Sequence, residues 1–443
     1  MLDELLKLGY NASLFGRFDI GNGILDEYTD TSGNGFHTGP DLSILARAAD
    51  IRRGTKQNPY SMVDDNVTNP FSDDADKTQN VVTFLNNHNP HTAKPWFLWL
   101  GILDPHPPYD TNSTYLATVN QSAVDVVPEP IVENMHPYDS YMSISKEAIG
   151  NYTDDQIKSI RSSYWGAVAE ADALLGRVLQ VAAERGHLDN TIVLFTSDHG
   201  EMAMEHRQDF KNSMYEPATR VPLIIAGFNV TNFNVPTNTV VTNFTSHIDI
   251  FPTLVDIGGG TIPTELRGYS LAPFLNMPSS QQKKDVPNVV NSAPLGIMNR
   301  ANFEYAVSEY ASNMGNTASF MIRQGSYKYI AFGEALFPWF SNYTSMLFDI
   351  DNDPWELNNI ITNNPTLAEN LHTLLVNEYQ GRVLDNIDRE AKELDLTLYT
   401  NFFLNLYTKS QIYTKFQNAY TGFNESDAIK VQNWCGTKPG LEE

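Results

Sequence analysis

The chain has 443 residues, 41% of them hydrophobic and 19% charged, so it can bury a large core and is not a disordered polymer. Its 53 acidic residues outnumber 29 basic ones, for a net charge of −24, which excludes the basic footprint of a nucleic-acid binder. No stretch approaches the roughly 20 apolar residues of a membrane-spanning helix, and no basic segment followed by an apolar one marks a leader at the N-terminus.

In chain order, Asp76 to His88 reads as a helix with Val81, Val82, Phe84 and Leu85 on one face, leading into a strand over 95–103. Residues 105–150, with Pro128, Pro130 and Pro137, read as a long loop over the site. Thr153-Asp154-Asp155-Gln156 opens a helix that runs to Gly186, with an acidic first turn suited to the helix dipole. Strands are predicted at 191–197, 221–226 and 239–244, and their alternation with helices predicts βαβ units and a mostly parallel sheet flanked by helices.

The pattern changes near residue 300. Phe303–Tyr310, Ser319–Arg323, Tyr327–Phe332 and Met346–Ile350 read as strands joined by short turns such as Gln324-Gly325-Ser326, hence an antiparallel sheet. A helix over 366–379 follows Pro365, and the tail from Val383 carries Tyr, Phe and Lys at helical spacing. The expected organisation is an α/β domain over 1–300, a smaller α+β domain over 301–382 and a helical extension over 383–443.

The run Thr191–Ser197 is short, apolar and β-branched, and reads as a buried strand ending in Asp198-His199-Gly200. Such a strand delivers a carboxylate and an imidazole to the carboxyl edge of the sheet, where open α/β sheets bind ligands. Glu201, Glu205, His206 and Lys211 follow, a density of ionisable groups that a solvated loop explains less well than a site. The spacing from His199 to His206 is not that of a zinc-protease helix, so no zinc site is read here.

The same residues carry a family resemblance. Asp198-His199-Gly200-Glu201, Glu205-His206, Lys211, Tyr215-Glu216 and Arg220-Val221-Pro222-Leu223 stand in the order of the sulfatase signature. Pro105-His106-Pro107-Pro108-Tyr109, Asp249-Ile250-Phe251-Pro252-Thr253-Leu254 and Asp353-Pro354-Trp355-Glu356 are similar to further elements of that family. The variant Met204-Glu205-His206-Arg207-Gln208 most resembles the arylsulfatase K subgroup, and the resemblance runs from residue 1 to about residue 380.

What the resemblance implies is an alkaline phosphatase-like sulfatase fold and hydrolysis of sulfuric esters, on sulfated glycans such as glycosaminoglycan uronates or on aryl sulfates. It implies calcium, with Asp198 and His199 as ligands; Asp198 as a turn cap is the alternative. It implies that Lys211 holds a sulfate oxygen as a point charge, and that His106 contacts sulfate or protonates the leaving group. A surface lysine and a structural histidine are the alternatives. Arg17 falls where the family has a lysine, so its charge suits sulfate while its shape differs. The net charge of −24 opposes long-range capture of a polyanion, which local cations must therefore hold. The family's phosphoester-cleaving cousins are a further alternative.

One part of the pattern is missing. The family's nucleophile derives from the cysteine of a Cys-x-Pro-x-Arg segment, whereas the single cysteine here, Cys435, sits in Trp434-Cys435-Gly436-Thr437. Met1 to Tyr10 resembles a helix that follows that segment in the family, so the chain is expected to be inactive alone, as part of a longer enzyme or as a glycan-binding pseudoenzyme. Nine sequons (at Asn11, Asn66, Asn112, Asn120, Asn151, Asn229, Asn243, Asn342 and Asn424) and the family resemblance suggest a lysosomal or secreted protein. Sequencing transcripts upstream of Met1 checks the first alternative: an in-frame leader, paired aspartates and Cys-x-Pro-x-Arg are expected, and a stop codon there in every transcript contradicts it.

Overall fold

The structure, a computed structural model, describes residues 2–16, 73–90, 94–107, 109, 111–130, 136, 139, 152–228, 239–275, 303–311, 318–333, 345–379 and 381. Helix α1 (Leu2–Lys7) leads into β1 (Asn11–Gly16), which pairs in parallel with β2 (Trp96–Gly101), Asn11 opposite Trp96 and Gly16 opposite Gly101. Nothing larger fits at Gly16. A Cβ on Gly16, whose φ is +97°, would lie 1.9 Å from the carbonyl oxygen of Gly101.

Helix α2 (Asp73–Asn87) packs its apolar face on these strands: Val81, Leu85 and Phe15 form one core with Trp96, Leu98 and Leu100. The long helix α3 (Asp154–Glu184) closes that core through Val178, Val181 and Ala182. Its N-terminus is capped as its sequence suggests. Thr153 Oγ1 accepts from the Gln156 N–H at 3.3 Å, and the Gln156 side chain returns to the Thr153 N–H at 2.8 Å.

Three expectations need correction. Strands β3 (Thr191–Thr196) and β4 (Leu223–Phe228) pair antiparallel, Thr191 opposite Phe228, rather than through a parallel crossover. The connection 197–222 explains this, because it folds back on itself: Gly200 N–H donates to Ala218 O and Glu201 N–H to Pro217 O, both at 2.9 Å, and so prolong a hairpin. β3 is half-buried along its length instead of buried, with only β4 beside it among the described residues, and residues 239–244 form no strand. The α/β class itself holds, with β1 and β2 as its parallel pair.

The second sheet, β5 (Tyr305–Ala311), β6 (Ala318–Gln324), β7 (Tyr327–Phe332) and β8 (Met346–Asp349), is antiparallel in chain order, as its turns predict. Helix α5 (Pro365–Glu378) covers one face, burying Leu371 and Leu375 against Phe320, Ile322, Tyr329 and Leu347. The opposite face is buried too, and Lys328 lies on it with no exposure. Its ammonium is 2.8 Å from Glu216 and 3.0 Å from Glu356, and donates to Met214 O at 3.0 Å. The tail 383–443 lies outside the described residues.

Removing one member of a buried charge cluster strands the others, at a cost of about 3–5 kcal/mol. Lys328→Ala should lower unfolding stability by that order in urea melts. The double variant Lys328→Met with Glu356→Gln should recover part of the loss, because it removes charge from both sides of the cluster.

Candidate active site

The end of β3 presents Asp198 and His199. The Asp198 side chain is 80% exposed, its Oδ1 accepts from the His199 N–H at 3.0 Å and its Oδ2 lies 3.3 Å from His199 Nε2. His199 Nδ1 is 2.8 Å from Gly200 O. A carbonyl only accepts, so Nδ1 carries the hydrogen, and in the neutral ring Nε2 turns a lone pair toward the carboxylate. A proton on Nε2 or a shared cation relieves that opposition. Gly200 is required sterically, since a Cβ there would stand 1.8 Å from Pro217 O.

The connection after β2 brings His106 to the same place. Its ring centre lies 6.3 Å from that of His199 and 5.4 Å from that of Phe210, and its Nδ1 donates to Pro107 O at 2.7 Å. Lys211 directly follows Phe210 and is half-buried. His247, at the turn before α4 (Ile250–Ile257), donates from Nε2 to Ser197 O at 2.7 Å and steadies the end of β3. The structure thus gathers His106, Asp198 and His199 with the backbone that carries Lys211; Arg17 lies outside the described residues.

One carboxylate joins these pieces. Glu201 Oε1 accepts from Tyr109 Oη at 2.6 Å, from the Phe210 N–H at 2.5 Å and from the Ala203 N–H at 3.2 Å. It therefore ties the loop bearing His106 to the loop bearing Lys211. The loop itself is strained: Ala203, Met204, His206, Arg207 and Phe210 all have positive φ, from 41° to 77°. Each costs about 1–2 kcal/mol for a residue with a Cβ. The surroundings hold it in place. Arg161 on α3 donates to Ala203 O at 2.9 Å, and the His206 ring stacks on Tyr215 with centroids 3.6 Å apart. Tyr215 in turn donates to Asp139 Oδ2 at 3.3 Å.

Burial shifts several of these groups. It raises Asp139 to about 8 against the Tyr215 hydrogen bond, and raises Glu205 to about 7 against Arg161. It lowers His206 and His136 to about 3. Glu216 shows the opposite balance for a carboxyl: burial pushes it up, but the Lys328 ammonium prevails and holds it below the ordinary value.

Among the described residues no group of three or more His, Cys, Asp or Glu side chains is placed to hold a metal. Asp198 and His199 supply two donors, well short of the six to eight oxygens typical of calcium. By themselves they do not make a calcium site.

Comparison with known proteins agrees with the resemblance read from the signature. The family model "Sulfatase" matches residues 2–260, and the model "N-sulphoglucosamine sulphohydrolase, C-terminal" matches residues 204–380. The chain belongs to the sulfatase family. It is 31% identical to arylsulfatase K of Bos taurus over 387 residues, covering 84% of this chain and 65% of that protein. The chain thus spans somewhat under two thirds of that relative's length. In fold it is similar to the phosphonate monoester hydrolase SpPMH from Silicibacter pomeroyi, at TM-score 0.56 and 23% identity, covering 86% of this chain and 78% of that one. It is also similar to a protein solved in complex with its substrate D-glucosamine-2-N,6-O-disulfate, at TM-score 0.57 and 19% identity, covering 86% and 82%.

Sequence reading singled out Tyr215, Glu216 and Glu356 as signature residues without a role, and missed Arg161, Glu201 as a tie, and Lys328. A lysine on a strand whose neighbours are otherwise apolar and aromatic was the available signal for Lys328.

The buried groups set a pH dependence. Raised carboxyls stabilise the fold below their unfolded values and lose that contribution as pH rises through about 7 and 8. Lowered histidines stabilise it above their unfolded value near 6.5, and that contribution is lost as pH falls toward about 3. Urea midpoints should therefore peak in mildly acidic solution and fall by about 2 kcal/mol of stability from pH 6 to pH 8, and Asp139→Asn should flatten the alkaline side.

Proposed function

We propose that this chain provides the substrate-holding and leaving-group side of a sulfuric ester hydrolase acting on sulfated glycans, in a lysosomal or secreted protein. The observation that carries this is the approach of His106 to His199 beside Asp198, tied to the Lys211 loop through Glu201. Family membership supports the reaction class.

The residues divide the work. Lys211 offers a compact positive charge for an anionic sulfate oxygen. His106 Nδ1 donates to Pro107 O, which leaves Nε2 as the ring nitrogen that can pass a proton to the departing alkoxide. Tyr109 and Glu201 hold the two loops in register. A calcium ion belongs to this reading: Asp198 and His199 would be among its ligands, with others required, and its charge would offset that of sulfate. Among the described residues no helix is long and apolar enough to cross a membrane.

The chain alone should bind without turnover. Its single cysteine, Cys435, lacks the flanking Pro and Arg of the family's nucleophile segment and lies outside the described residues. That observation favours a second reading for the isolated chain, a sulfated-glycan binder. Purified 1–443 should hydrolyse no aryl sulfate above buffer, yet bind a sulfated uronate oligosaccharide in calorimetry. Lys211→Ala should weaken that binding about tenfold, or about 1.4 kcal/mol. Turnover abolished by Asp198→Ala would overturn the account of inactivity, and binding unaffected by both Lys211→Ala and His106→Ala would overturn the placement of the site.

A further inference from the structure

The sequons are a motif that the proposed chemistry leaves unused, and four of them, at Asn11, Asn112, Asn120 and Asn243, fall on described residues. The structure treats these four differently. Asn11-Ala12-Ser13 is the start of β1, with Ala12 and Ser13 buried and the backbone paired to β2. Asn243-Phe244-Thr245 is half-buried, with the Phe244 N–H donating to Phe303 O at 2.9 Å and its ring 5.7 Å from the Arg323 guanidinium.

Asn112 and Asn120 stand on the connection between β2 and α3, Asn112 half-buried but followed by exposed Ser113 and Thr114. Asn112 Oδ1 accepts from the Thr114 N–H at 2.8 Å, capping the turn Ser113–Leu116. Asn120 Oδ1 accepts from the Ser122 N–H at 3.2 Å and from Ser122 Oγ at 2.7 Å, and Asn120, Gln121 and Ser122 are all exposed. In both, the oxygen end of the carboxamide is held inward, which turns the Nδ2 end away from the turn. No hydrogen bond from either Nδ2 is found among the described residues.

From this geometry we propose that Asn112 and Asn120 carry N-linked glycans and that Asn11 and Asn243 do not. The transfer forms a C–N bond between Nδ2 and the anomeric carbon of a polyprenyl-diphosphate-linked oligosaccharide. The glycosyl C–O bond breaks, the diphosphate leaves with the electron pair, and one amide proton passes to base. Oδ1 keeps its lone pairs through this change, so both turn caps survive in the glycosylated protein. A glycan at Asn11 would instead sit beside a strand whose next two residues are packed inward. The proposal rests on the secretory destination proposed above and not on the sulfatase chemistry.

The test is to direct the full chain into the endoplasmic reticulum of a eukaryotic cell with an added cleavable leader. Occupancy is then read by glycosidase release in heavy-oxygen water and peptide mass spectrometry. Heavy Asp is expected at 112 and 120 and unmodified Asn at 11 and 243. Asn112→Asp and Asn120→Asp keep the cap acceptor, and Ser122→Ala keeps the Asn120 cap; each should remove one glycan step from the gel mobility of the secreted chain. Unmodified Asn112 and Asn120 in a chain that enters the reticulum and still binds sulfated glycan would overturn this inference alone. Occupancy at Asn11 or Asn243 would overturn the burial argument behind it.

Discussion

The ammonium of Lys328, withdrawn completely from water, is the interaction on which the arrangement of the site depends. It reaches out of the antiparallel sheet to Glu216, Glu356 and the carbonyl of Met214, all at 2.8–3.0 Å. Those contacts hold the return leg of the connection between β3 and β4, and the return leg holds the outgoing leg through Gly200 and Glu201. A buried charge cluster earns little net stability against apolar substitutes, but it tolerates very few geometries. Here that selectivity fixes where one sheet sits on the loop of the other.

The loop needs such outside restraint because it has little structure of its own. Five residues with side chains sit at positive φ between Ala203 and Phe210, conformations that no local preference favours. Arg161 from α3, Tyr215 stacked on His206, and Glu201 with three donors on one oxygen hold them there. The strain falls next to Lys211, and Phe210 at its end packs against His106. Glu201 is then less a member of an ionisable cluster than a pin between two loops.

The parts legible in the sequence were those governed by local rules. The capping box at Thr153 and Gln156, the apolar face of α2 and the Gln324-Gly325-Ser326 turn between β6 and β7 each follow from residues close in the chain. The direction of β4 was not legible, because β3 ends the same way whether the chain crosses over or turns back. The fold-back depends on Gly200 passing against Pro217 O, a contact between residues far apart in sequence.

The sequence by itself determined the family signature, the placement of Asp198 and His199 at a strand end and the change from α/β to antiparallel architecture near residue 300. These rest on order and periodicity, which a linear chain displays directly. Only the tertiary structure decided that His106 meets His199, that Glu201 joins their loops, and that the lysine of a sheet strand is buried on two glutamates. It also decided that Ser113, Thr114 and Asn120 to Ser122 are exposed while Ala12 and Ser13 are buried. The physical reason is common to all of these: burial and charge pairing depend on which distant segments come together, and side-chain type alone does not specify that.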